Sequence, residues 1–244
     1  MFTSRWTMAA LVTTLGCHAF AAPETWPDCE GIKGPRKHAT QQLADEAREL
    51  FNGKDLDGWV VEERPWDKSG KNTPNWSVRD GVLTCEGKTF GFLRYAKQEF
   101  ADFALHVECR LSPKSNTGIG IRTVPYDPKK DKETRPSYHS YEIQVQDDEG
   151  KPPSKNSTGS LYRYVAPKAN PIKRAPAWNT VEIECIGPRI RVTINGQEIL
   201  DADQSTIKEI KNKPLKGYVC LQSHDRLVEF RAVRIREIKA PAGN

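Results

Sequence analysis

Long apolar runs are missing from this 244-residue chain. Beyond the N-terminus no segment approaches the roughly 20 apolar residues that a membrane-crossing helix needs, so no later transmembrane helix is expected. Helical periodicity is nearly as scarce: apart from Leu43, Ala47 and Leu50, behind Thr40 as a cap, no stretch repeats at helical spacing. Charge of one sign is scarce too. The 37 Lys and Arg are spread among 32 acids and leave a net charge of only +5, which argues for a solvated surface and against a nucleic-acid partner. The six cysteines have neither metal-knuckle nor redox-pair spacing. P-loop, dinucleotide-binding and serine-protease motifs are lacking, as are internal repeats.

What is present begins with Arg5 and a short apolar run from Met8 to Gly16, followed by the small-x-small triplet Ala19-Phe20-Ala21. This pattern predicts an export signal over residues 1–21 and a periplasmic or secreted protein. The alternative is a lipoprotein signal ending in Cys17, although Thr14 stands where such signals usually carry leucine. Residues 22–48 read as an irregular leader with one short helix, residues 49–239 as the folded domain and residues 240–244 as a tail. Cys29, Cys85, Cys109, Cys185 and Cys220 would remain after cleavage. Cys109 and Cys185 fall at inward positions of alternating strands, which favours small buried hydrophobes over disulfides.

The domain reads as short strands separated by turns. Leu105, Val107, Cys109 and Leu111 alternate with polar residues, as do Val181, Ile183 and Cys185, and Ile190, Val192 and Ile194. Asp80-Gly81 and Asn195-Gly196 between such runs are hairpin signals. The last strand, Val228 to Ile238, slips its alternation near Ala232, where a bulge is expected. Trp59, after a turn-rich segment, reads as a plug at one end of a core. Many half-buried antiparallel strands with little helix predict an all-β sandwich.

Two strands carry a polar face. In Ser140-Tyr141-Glu142-Ile143-Gln144-Val145-Gln146-Asp147, the residues Tyr141, Ile143 and Val145 point one way and Glu142, Gln144 and Gln146 the other. In Gly118-Ile119-Gly120-Ile121-Arg122, the isoleucines point inward and the glycines and Arg122 outward. Side by side, these strands would place Arg122 near Glu142 and Gln144 above a floor of glycines. The charged, proline-bearing segment that joins them, Val124 to Arg135, is either a mobile decoration or a rim or lid.

The motifs Leu50-Phe51-Asn52-Gly53-Lys54-Asp55-Leu56-Asp57-Gly58-Trp59, Trp76-Ser77-Val78-Arg79-Asp80-Gly81-Val82-Leu83, Asn116-Thr117-Gly118-Ile119 with Arg122, Tyr141-Glu142-Ile143-Gln144 with Asp147, Thr158-Gly159-Ser160-Leu161-Tyr162, Trp178-Asn179-Thr180, and Leu221-Gln222-Ser223-His224 before Val228-Glu229-Phe230-Arg231 occur in that order. Together they resemble the 3-keto-disaccharide hydrolase family from about Leu50 to Ile238. The resemblance implies a concanavalin A-like jelly roll of two antiparallel sheets with one concave, sugar-handling face. It also implies export and action on glycosides whose 3-hydroxyl has become a ketone. The insertion Val124 to Arg135, and Ser223 where an acid is expected beside the histidine, depart from the pattern.

A ketone at C3 acidifies the hydrogen on C2, so a modest base can remove it and the C1 substituent can leave by elimination before water adds back. Such chemistry needs a base, a donor or cation near the keto oxygen and an acid for the leaving oxygen. Glu142 is the candidate base, tuned by Arg122. Arg122, Gln144 and Asn116 would orient or stabilise the enolate, and His224 is a candidate acid or metal ligand. Asp147, Trp76, Tyr162 and Trp178 are candidate sugar contacts, with one of the three aromatics expected to touch ligand. The bland alternatives are a cross-strand ion pair for Glu142 and Arg122, a structural histidine, and core aromatics. A two-carboxylate glycosidase using Glu142 and Asp147 is a further alternative. A divalent ion polarising the ketone is chemically plausible, but no residue spacing marks a site, so the cofactor stays undetermined. The rival at the level of function is a non-catalytic carbohydrate-binding module on the same scaffold.

Overall fold

The structure is a computed structural model that describes residues 47–65 and 75–238. The export signal, Cys17, Cys29 and most of the leader lie outside the described residues. So does the start of the leader helix; at its expected end, Arg48–Glu49 (β1) is already a strand, pairing with Ile235 and Arg234. The chain then runs through β2 (Trp59–Pro65), β3 (Trp76–Arg79), β4 (Val82–Cys85), β5 (Thr89–Tyr95), β6 (Phe103–Leu111) and β7 (Asn116–Thr123). It continues with β8 (Tyr141–Gln146), β9 (Trp178–Ile186), β10 (Arg189–Ile194), β11 (Gln197–Asp203), β12 (Tyr218–Ser223) and β13 (Val228–Glu237). Every pairing between these strands is antiparallel.

Two sheets form. The larger has the order β11-β10-β9-β6-β13-β4-β3, with β1 also on β13, and the smaller has the order β2-β5-β12-β7-β8. Alternation places Leu105, Val107, Cys109, Val181, Ile183, Cys185, Val233 and Ile235 of the larger sheet against Ile119, Ile121, Tyr141, Ile143, Val145, Val219 and Leu221 of the smaller in one continuous core. Such a two-layer core fixes which face of each sheet is left for other work.

The turn chemistry holds as read. Asp80 and Gly81, and Asn195 and Gly196, each have two consecutive positive φ angles, 51° and 78° in the first turn and 51° and 79° in the second. This is the primed geometry whose twist matches the strands it joins. The bulge in β13 falls between Phe230 and Ala232, opposite Cys109 and Glu108. Trp59 is buried and donates through Nε1 to the Leu50 carbonyl at 2.9 Å, closing one end of the core. Cys85, Cys109, Cys185 and Cys220 are buried free thiols. No helix of the described residues is long and apolar enough to cross a membrane.

A second bulge was not legible in the alternation. β12 pairs with β7 through Cys220–Gly120 and then Tyr218–Thr123, so Ile121 and Arg122 together stand opposite Val219. Arg122 takes φ of +55°, and both residues turn inward. A bulge with one residue in the left-handed region re-aims a side chain in this way. Arg122 is therefore wholly buried: its guanidinium donates to the carbonyls of Ala101 (2.8 Å) and Gly187 (2.8 Å) and lies 3.4 Å from Asp102 Oδ1. It ties the β5–β6 connection to the β9–β10 turn.

Candidate active site

The outer face of the smaller sheet collects the polar side chains. β7 supplies Asn116, Gly118 and Gly120, β8 supplies Glu142 and Gln144, and β12 supplies Cys220 and Gln222. Gly120 pairs with Glu142 and Gly118 with Gln144. Gln222 follows Leu221, which pairs with Ile119, and so sits beside Gly118. Glu142 and Gln222 are thus two strands apart, and they meet because Gly118 lies between them. A Cβ on Gly118 would fall 2.6 Å from Glu142 Oε1, so only a glycine leaves room for the carboxyl. Across that gap Gln222 Nε2 donates to Glu142 Oε1 at 2.9 Å.

Glu142 is 2% exposed, and its second oxygen, Oε2, makes no hydrogen bond of standard geometry among the described residues, although the Ser137 hydroxyl is close enough to act on the carboxyl. Burial pushes its pKa up to about 7, against the opposing pull of Arg135, Gln222, Ser137 and Arg163. Desolvation disfavours the carboxylate more than these groups favour it. A carboxyl poised near neutrality with one oxygen uncommitted has the properties of a general base or acid.

The segment from Thr123 to Ser140 is a cover over this face. Its three short helical turns, Pro128–Lys130, Asp131–Thr134 and Pro136–His139, place Pro136 above Gly120, where an added Cβ would meet Pro136 Cγ at 3.1 Å. Tyr126 packs edge-on against Phe92 and Phe90 (ring centroids 5.0 and 6.2 Å) and donates its backbone N–H to Glu62 Oε2 at 2.7 Å. Arg135 grips Asp131 with both carboxylate oxygens at 2.6 Å and lies over the Phe90 ring at 4.5 Å. Lys213 Nζ donates to the carbonyls of Tyr138 and Ser140 at 2.7 and 2.6 Å, holding the far end down. Arg163, with φ of +76°, stacks over Tyr138 at 4.1 Å.

This geometry revises the cationic partner. Arg122 points into the end of the sandwich, away from Glu142, because the bulge breaks the alternation that would have turned it outward. The cations acting on Glu142 are Arg135 and Arg163. Arg135 belongs to the charged insertion, and neither stands in a strand whose pattern could mark it.

Of the other candidates, Gln144 Nε2 donates to Asn116 Oδ1 at 3.0 Å and lies 3.3 Å from Gln146 Oε1, forming an amide row beside Glu142. His224 lies just beyond the end of β12, on the same alternation as Gln222. Its ring packs on Phe90 at 5.9 Å and its Nδ1 lies 3.4 Å from Asp225 Oδ1. Tyr162 donates its backbone N–H to the Glu142 carbonyl at 2.9 Å, and the Leu161–Ile143 bridge puts its half-buried side chain on the Glu142 side of the sheet edge.

Three candidates lie elsewhere. Asp147 accepts from the backbone N–H groups of Lys114 (2.8 Å) and Ala175 (3.3 Å) and so joins two loops. Its opposite alternation to Glu142 removes the two-carboxylate arrangement. Trp76 is 5% exposed, stacks on Phe230 and donates to Glu63 Oε1 at 2.6 Å, making it a core residue. Trp178 lies on the outer face of the larger sheet between Arg110 and Arg231, at 4.8 and 4.5 Å. Among the described residues no group of three or more His, Cys, Asp and Glu side chains is arranged to hold a metal ion.

Residues 46–236 match the family model of the 3-keto-alpha-glucoside-1,2-lyase-like domain. No curated protein matches the sequence. Among solved structures, one from Parabacteroides distasonis, designated a candidate glycosyl hydrolase, superposes with a TM-score of 0.66 at 20% identity, covering 82% of this chain and 97% of that one. A second from the same organism and with the same designation gives 0.62 at 25% identity, covering 79% and 99%. A carbohydrate-binding module from Bacillus subtilis shares the fold at 13% identity, with a TM-score of 0.51 and coverage of 74% and 96%.

Proposed function

The chain belongs to the 3-keto-alpha-glucoside-1,2-lyase-like family, with a jelly-roll sandwich of the carbohydrate-active kind, and from this we propose that it cleaves 3-keto-glycosides by elimination across C1 and C2. The observation that carries this reading is the Glu142 carboxyl, buried against Gly118 and held by Gln222 at one oxygen only; burial raises its pKa to about 7.

In the proposed reaction, ionised Glu142 takes the proton from C2 through Oε2, and the electron pair of the broken C–H bond moves into the enolate of the C3 ketone. Collapse of the enolate forms the C1–C2 double bond and breaks the bond from C1 to the aglycone oxygen, which takes a proton as it leaves. Water then adds across the double bond to complete a net hydrolysis. Arg135 and Arg163 are the cations that would favour the enolate, in the role first expected of Arg122. Gln144 and Asn116 would orient the sugar, Tyr162 would stack on it at the sheet edge, and His224 would protonate the leaving oxygen. With the export signal expected over residues 1–21, this activity would lie outside the cytoplasm.

The test is to incubate the protein with a 4-nitrophenyl 3-keto-glucoside and follow nitrophenol release, with Glu142→Gln in parallel. The parent is expected to release product and the variant to lose about 10²–10⁴-fold, the scale of a general base. Binding by the parent without release would sink the proposal and leave the carbohydrate-binding alternative.

A further inference from the structure

The hydrogen bond between Gln222 and Glu142 leaves two acceptors stranded. Glu142 Oε2 and Gln222 Oε1 are both buried without a partner among the described residues, in side chains whose residues are 2% and 5% exposed. The amide orientation follows from the form that acts as the base: an ionised carboxylate accepts only, so Nε2 faces it and Oε1 faces away. A buried acceptor left unmet is costly, and two on one hydrogen-bonded pair call for a ligand that brings donors to both.

We infer that Gln222 contacts the substrate, its Oε1 accepting from the hydroxyl on the carbon that gives up its proton to Glu142 Oε2. This rests on the proposed 3-keto-glycoside reading and deepens it. In such a sugar C2 carries both the acidic hydrogen and a hydroxyl, so one atom presents a transferable proton and a donor together. The enzyme side shows the matching pair, an uncommitted carboxylate oxygen and an uncommitted amide oxygen on side chains joined at 2.9 Å. Gln222 also fixes which carboxylate oxygen is the base, because its donation occupies Oε1. The chain is thereby a reader of the 2-hydroxyl, selective for substrates that keep it.

The test compares the 4-nitrophenyl 3-keto-glucoside with its 2-deoxy-2-fluoro analogue on the unaltered protein. Fluorine keeps the C2 hydrogen and makes it more acidic, but it cannot donate. If Gln222 reads the hydroxyl, kcat/KM for the fluoro compound falls about 10–100-fold, as for sites that lose one hydrogen-bond donor. In Gln222→Met that preference shrinks by at least tenfold, and the ascending limb of the pH profile moves to higher pH because the carboxylate has lost a donor. Equal or faster turnover of the fluoro compound overturns the contact while leaving the elimination reading intact. A preference unchanged in Gln222→Met overturns it too, since a merely structural residue would slow both substrates alike. No release from either compound by the parent overturns the elimination reading, and the contact with it.

Discussion

The carboxyl of Glu142 occupies the volume in which a side chain at Gly118 would begin, with 2.6 Å separating Oε1 from the Cβ that position lacks. The candidate base is therefore placed by an absence on the neighbouring strand, and Gln222 can reach it only across that gap.

Gly118→Ala should test this placement. The methyl group must push the carboxyl off Gln222, so kcat/KM for a 3-keto-glucoside is expected to fall about 100-fold, the scale of an ångström-level misplacement. Overpacking should cost only about 1–3 kcal/mol of stability in a urea titration. Activity within threefold of the parent would show that the carboxyl need not lie where it does.

The pH dependence follows from the raised pKa of Glu142. The ionised form is the base, so kcat/KM should climb as pH rises through about 7. Stability should run the other way. Between pH 4.5, the ordinary value, and about 7 the folded protein holds a proton that the unfolded chain has released, so stability declines as pH rises across that window. The decline is of order 3 kcal/mol, and Glu142→Gln should remove it. Urea midpoints at pH 5 and pH 8 for both proteins check this, and an equal decline in the variant would assign it to other groups.

Arg122→Met separates structure from catalysis. The substitution leaves the Ala101 and Gly187 carbonyls without their donor, and about 2–4 kcal/mol of stability should be lost. At a temperature where the variant is still folded, kcat/KM should stay within threefold of the parent. A hundredfold loss in a fully folded variant would restore Arg122 to the reaction.

His224→Asn addresses the leaving group. If the imidazole protonates the departing oxygen, the loss should be about 10²-fold or more for an alkyl aglycone and small for nitrophenolate, which needs no proton. Equal losses for the two aglycones, measured as kcat/KM, would assign His224 to binding or packing, in line with its contact on Phe90.

Legibility divided along physical lines. Period-two alternation carried the sandwich, its inward faces and the outward side of Glu142 and Gln144, because a strand's geometry alone decides which way successive side chains point. The Asp-Gly and Asn-Gly turns and the slip at Ala232 were equally local. Alternation failed at Arg122, because one residue in the left-handed region beside a bulge reverses a side chain without any mark in the pattern. Trp76 and Trp178 could not be assigned from sequence, since an aromatic at a strand start looks the same in a core, on a back face or beside a ligand.

By itself, then, the sequence determined, Arg122 apart, which residues share a strand face and that two neighbouring strands would carry a carboxylate among amides over glycines. Tertiary structure decided which cations act on that carboxylate, what covers it and which neighbour fixes one of its oxygens. Those contacts join positions as far apart as Glu142 and Gln222, 80 residues along the chain. Strand order and loop placement, which bring such positions together, follow from packing two sheets on one core, and no local pattern encodes that.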